Sequence, residues 1–161
     1  MTLALDLFAE TNPAFGVFTI VGFCRNFWET SEEAPALALL YLAVPVAMSG
    51  DTQMSFSATN ARTGLLAWLD RYSEIRLDLG ARLEASLPIV SASVKLGLAS
   101  RALELGKEGV IGLGSNVPAK AHVERLPAGP KQVIRRAERL GTWMAGAGTT
   151  GSIFSAFGVT P

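Results

Sequence analysis

The 161-residue chain balances 14 Lys and Arg against 14 Asp and Glu, and 49% of its residues are hydrophobic while only 17% are charged. Zero net charge excludes a global attraction for polyanions, so any nucleic-acid contact has to come from a local patch. The length suits one domain with its own core, over residues 1–161, and a mean hydropathy of +0.32 implies that some apolar surface is hidden against partners.

Residues 1–11 read as a short lead-in, a first turn or a strap over the core. They have no basic stretch, and Asp6 and Glu10 are acidic, which is unlike a signal peptide. The chain is therefore expected to be intracellular and cytoplasmic. Asn12 then offers a helix N-cap and Pro13 suits the first helical position. The following Phe15, Val17, Phe18, Ile20, Val21, Phe23, Cys24, Phe27 and Trp28 cover nearly the whole circumference of a helix. Such a helix is buried on most sides, and this one falls short of the roughly 20 apolar residues a bilayer span needs. It predicts a central core helix.

Glu29–Glu33 form an acidic connection, and Pro35 opens the apolar run ALALLYLAVPVAM. Pro45 has no N–H to give Tyr41, so the run is expected to kink or end near Val44. Ser49–Thr52 make a turn. A polar stretch, QMSFSATNART, leads to a short amphipathic helix at Gly64–Leu69 with Trp68 as its anchor, and Asp70–Asp78 is surface-like. Leu79, Leu83 and Leu87 recur at helical spacing up to Pro88. Beyond it Ile89, Val90, Val94, Leu98, Ala99, Ala102 and Leu105 predict another helix, ended by Gly106 as its C-cap.

At Gly109 the texture changes. Val110–Leu113 reads as a strand and Ala121–Leu126 alternates like a second one, which predicts a small hairpin near 109–126, a wing in outline. The last long helix starts near Pro130. Val133, Ala137, Leu140 and Met144 lie on one face, and Lys131, Arg135, Glu138 and Arg139 on the other. After Gly146, Gly148 and Gly151, an apolar segment at 152–161 forms a terminal turn or short helix. The fold class is mostly α (α+β): a compact helical domain with one small β-hairpin, winged-helix-like in outline.

Enzyme chemistry is hard to assemble from these residues. His122, the one histidine, has no Cys or carboxylate cluster at ligand spacing. Cys24 stands alone, which excludes an internal disulfide and a Cys-based zinc site, and its aromatic-rich helix suits a buried inert thiol. The Gly109–Gly114 run GVIGLG does not open directly into a helix as a phosphate loop would. Glu29, Glu32 and Glu33 read as a solvated loop. No catalytic residue, cofactor or metal is assigned, and the chain is expected not to be an enzyme.

Two binding features remain. Lys131, Arg135, Arg136 and Arg139, beside Lys120 and Arg125, form a stripe able to contact phosphates; an ordinary solvated helix face, partly neutralised by Glu138, is the favoured reading of the same residues, because net charge is zero. Ile153, Phe154 and Phe157, with Trp143, either pack on their own core or anchor a partner.

Four segments carry a resemblance: NPAF at 12–15, LALLYLAVPVAM at 37–48, GLLAWLD at 64–70 and RAERLGTWMAGAGTTGSIFSAFGVTP at 136–161. In this order they resemble the middle components of bacterial three-component ABC systems. After Pro45 the chain departs from the family's His followed by a Thr-Arg turn, with Met48-Ser49-Gly50-Asp51-Thr52-Gln53 in its place. The resemblance implies a small non-enzymatic subunit, an adaptor between an SMC-like ABC ATPase and an effector, in a defence system against phage and mobile elements. It implies DNA contact, if any, through the ATPase complex. It supplies no catalytic residues to transfer.

Overall fold

The structure, a computed structural model, describes residues 12–161; the lead-in at 1–11 lies outside the described residues. Asn12 opens helix α1 (Pro13–Ser31) as its chemistry predicts, its side-chain oxygen accepting from the Phe15 amide at 3.1 Å. From Phe15 to Cys24 only Phe18 is not fully buried, and Phe27 is buried as well. A helix with so many apolar sides needs walls all round, and the chain supplies them in sequence order.

Helix α2 (Leu37–Met48) is the first wall, followed by a turn at Gly50–Thr52 and helix α3 (Gln53–Ser57). Helix α4 (Leu65–Arg71) comes next, then a turn at Ser73–Arg76 and the long helix α5 (Leu79–Ala99). Strands β1 (Leu103–Leu105) and β2 (Ile111–Leu113) form an antiparallel hairpin. Helices α6 (Lys120–Glu124), α7 (Ala128–Ala145) and α8 (Thr150–Phe157) close the chain. The fold is mostly α with one small hairpin. Among the described residues the buried apolar side chains form one cluster, and α1 packs most extensively on α7 and then on α5.

Two glycine contacts set how close those helices come. A Cβ on Gly141 of α7 would stand 2.4 Å from the Phe23 carbonyl oxygen of α1, and one on Gly16 of α1 would stand 1.9 Å from Ser93 Oγ of α5. Backbone meets backbone or a short side chain there, so no larger residue fits without separating the helices.

Three expectations about where helices end are corrected. Pro45 does not end α2, which runs through it to Met48, because Val46, Ala47 and Met48 are all buried and their burial outweighs one missing hydrogen bond. Pro88 likewise sits inside one continuous α5. Pro88 and Glu84, whose carbonyl loses its donor, are both exposed, which keeps the cost of the missing bond low. That helix stops at Ala99 and not at Gly106, since Ala102–Leu105 turn away to build β1.

The hairpin exists but spans Leu103–Leu113 in place of 109–126, with Leu103 paired to Leu113 and Leu105 to Ile111. Ile111 N–H also donates to Pro35 O at 2.8 Å, which fastens β2 to the α1–α2 connection. Ala121–Leu126 belongs to a helical turn and not to a second strand. Val123 in α6 and Leu126 just beyond it are both half-buried, a three-residue spacing that strand alternation masks over so few residues. Lys120 and Arg125 therefore sit at the ends of a helix, not on a wing.

Candidate interaction surfaces

Helix α7 alternates between faces as its sequence predicts, but its arginines divide. Arg135 is half exposed and pairs with Glu124 of α6 and with Glu138 at 3.3 Å. Burial works against its charge, but Glu138 and Glu124 outweigh it and raise its pKa. Lys131 reaches Glu124 at 3.8 Å. Arg136 points inward, 6% exposed, and its Nε donates to Ala47 O of α2 at 2.8 Å. Arg139 donates from Nη1 to the Phe56 and Thr59 carbonyls, the latter at 2.9 Å, and burial lowers its pKa. Of the four basic residues expected to form a stripe, two thus hold internal carbonyls and two face outward beside acidic partners.

The apolar C-terminal segment packs back on the chain. Ile153, Phe154 and Phe157 are buried, as is Trp143. Helix α8 starts at Thr149, whose hydroxyl accepts from the Ser152 amide at 3.1 Å, and ends on Gly158 in the left-handed region at φ 74°. The helix it builds delivers Phe157 to Trp68 at 6.2 Å between ring centres. Trp68 in turn lies 5.0 Å from Phe56 and 5.2 Å from Trp143.

Each indole N–H has an acceptor: Trp68 donates to Ser55 Oγ at 3.0 Å, and Trp143 to the Asn60 and Ala61 carbonyls at 3.2 Å. The Arg139 guanidinium lies 5.8 Å from the Phe56 ring and 5.9 Å from the Trp143 ring. Rings from α3, α4, α7 and α8 thus form one satisfied cluster at this pole of the fold. The four aromatic and aliphatic residues named as partner anchors hold the chain to itself.

The opposite condition holds where the end of α2 meets the first half of α5. A cavity of about 490 Å³ opens there to solvent. Pro45, Met48 and Ser49 line it from α2 and the turn, and Arg82, Ala85 and Pro88 from α5. Leu79 and Ile75 add apolar floor, and Asp51 stands exposed at the rim. Arg82 donates to Ser49 Oγ at 3.2 Å and to Ile75 O at 2.8 Å. Its Nε is buried and unpartnered. Among the described residues no carboxylate lies within ion-pair distance of Arg82.

Sequence reasoning did not single out this place. The signal was present in two prolines, each inside an apolar helical run, with small residues near both.

The remaining candidates have little chemistry around them. Cys24 is 1% exposed on α1, and burial pushes its thiol up to about 12, which keeps it a thiol at neutral pH. His122 is exposed on α6. Glu29 belongs to α1, and Glu32 caps that helix with a left-handed φ of 58°. GVIGLG forms the hairpin's second arm. Among the described residues no group of His, Cys, Asp and Glu is placed to hold a metal, and no helix is long and apolar enough to cross a membrane.

The family model described as ABC-three component system Middle Component 3 matches residues 8–161. No curated protein and no solved structure matches the chain.

Proposed function

This chain belongs to the Middle Component 3 family of ABC-three component systems, and we propose that it is the non-enzymatic adaptor of its system. In this reading it joins an SMC-like ABC ATPase to an effector, in the cytoplasm, as part of defence against phage or mobile elements. Family membership over residues 8–161 carries the proposal. The fold supports it: buried helices form a stable body able to present its outer faces to partners.

Docking then falls to residues that the core leaves outside. Trp28, Met54, Leu66 and Leu77 are 53%, 84%, 63% and 68% exposed, and exposed apolar groups of this size suit contact surfaces.

The test is recovery of the tagged chain from its native host under gentle conditions. A large ATPase with a long coiled coil, at stoichiometric yield, is the expected companion. Recovery of the chain alone, as a monomer, would overturn the adaptor reading. The alternative of a winged-helix-like nucleic-acid module has less support, because Arg136 and Arg139 hold internal carbonyls and the expected second strand at 121–126 falls largely in a helix.

A further inference from the structure

We propose that the cavity between the end of α2 and the first half of α5 is a docking groove for a partner segment that carries an apolar side chain beside an Asp or Glu. The proposal rests on the adaptor reading and names the surface by which the adaptor grips.

Three observations point to this occupant. The first is volume: about 490 Å³ lies within the roughly 300–1,000 Å³ of sites that enclose a ligand group, enough for a few side chains and too small for a whole folded face. The second is the lining. Met48, Ile75 and Leu79 are buried residues whose sides facing the groove are apolar, and the rings of Pro45 and Pro88 have no N–H that would ask for an acceptor.

The third is charge. Arg82 is held in place by the Ser49 hydroxyl and the Ile75 carbonyl, but neutral acceptors leave its charge uncompensated. Its Nε has a proton to donate and nothing to take it. A buried unmatched donor is costly to keep, and a carboxylate is the group that meets both needs, since guanidinium and carboxylate pair through parallel N–H bonds. Arg82 lines the groove, so a carboxylate seated there lies against the guanidinium. Asp51 at the rim opposes an acidic visitor, which gives the proposal a readable sign.

The experiment uses the full chain co-expressed with the other components of its ABC system and measures capture of the ATPase component. Ala85 is exposed and lines the groove, so Ala85→Trp fills it while leaving the core untouched. The expected result is at least tenfold weaker capture with the melting temperature unchanged. Asp51→Lys should tighten capture severalfold at low salt, with the gain disappearing at high salt.

Unchanged capture by Ala85→Trp overturns the groove, whatever Asp51→Lys does. Weaker capture by Asp51→Lys overturns the acidic chemistry. If Ala85→Trp instead converts a wild-type dimer into a monomer, the occupant is a second copy and the proposal fails. Failure of the adaptor reading looks different, because the wild-type chain itself then captures nothing.

Discussion

The two poles of the molecule handle buried space in opposite ways. At the aromatic pole, Phe56, Trp68, Trp143 and Phe157 fill the volume between four helices, and every indole N–H has an acceptor. Arg139 lies over two of those rings and holds two carbonyls from the α3 segment. At the proline pole, small residues (Ser49, Gly50, Ala85, Ser86) face one another across unfilled volume, and the local arginine keeps an unpartnered Nε. Both arginines bind carbonyls, but Arg82 alone of the two keeps a buried nitrogen without a partner. A core that closes on itself specifies the fold, whereas a place left open by composition is where the fold has room for something else.

The largest break in this contrast comes from the closed pole. Trp68 is fully buried and touches three other rings, so Trp68→Ala should cost about 3–5 kcal/mol, read as a shifted midpoint in denaturant with unchanged slope. A loss below 1 kcal/mol would mean that the cluster collapses into the hole and is not rigid.

Arg139→Met tests the same pole through hydrogen bonding. It removes charge-assisted bonds to the Phe56 and Thr59 carbonyls and should cost about 2 kcal/mol. Loss of a surface charge alone would cost far less. Titration sharpens the comparison at the centre. The Cys24 thiol is raised from 9.0 to about 12 by burial, so below pH 9 it is protonated in both folded and unfolded chains. Above that, the unfolded chain releases the proton first. Stability should therefore fall as pH rises, by up to about 1.4 kcal/mol per pH unit. Cys24→Ala should remove that part of the slope, measured by denaturant midpoints across the range. An identical slope in both proteins would contradict a dry thiol.

Much of the closed pole was legible in the sequence. Asn12-Pro13 announces the first helix, and the unbroken apolar circumference of α1 announces that other helices must surround it. Trp68 as an anchor and the apolar C-terminal helix follow from the same periodicity. The open pole is harder to read, because proline is locally a stop signal. Tertiary burial of Val46 and Met48 beyond Pro45, and of Val90 and Val94 beyond Pro88, overrides that local preference. The hairpin was displaced for a related reason. LEL at 103–105 continues the apolar spacing of α5, and only its pairing with Ile111–Leu113 makes it a strand. Arg136 turns inward for a reason outside its own helix: its acceptor is Ala47, a residue of α2.

The smallest effect should also have the opposite sign. Pro88 interrupts the hydrogen-bond ladder of α5 at an exposed position, so Pro88→Ala returns a donor to the Glu84 carbonyl and relieves the ring's clash with the preceding turn. Against this, the unfolded chain regains freedom that proline had removed, worth about 0.4–1 kcal/mol. The net gain should be about 1 kcal/mol, which for a chain of this size raises the melting temperature by about 2–4 °C. Pro88 lines the groove, so the same variant should capture the ATPase component less well while melting higher. Such a trade of stability against binding is what a site built on a locally unfavourable residue produces. If Pro88→Ala melts lower, the ring is packed as tightly as Trp68, and the contrast between a closed and an open pole is gone.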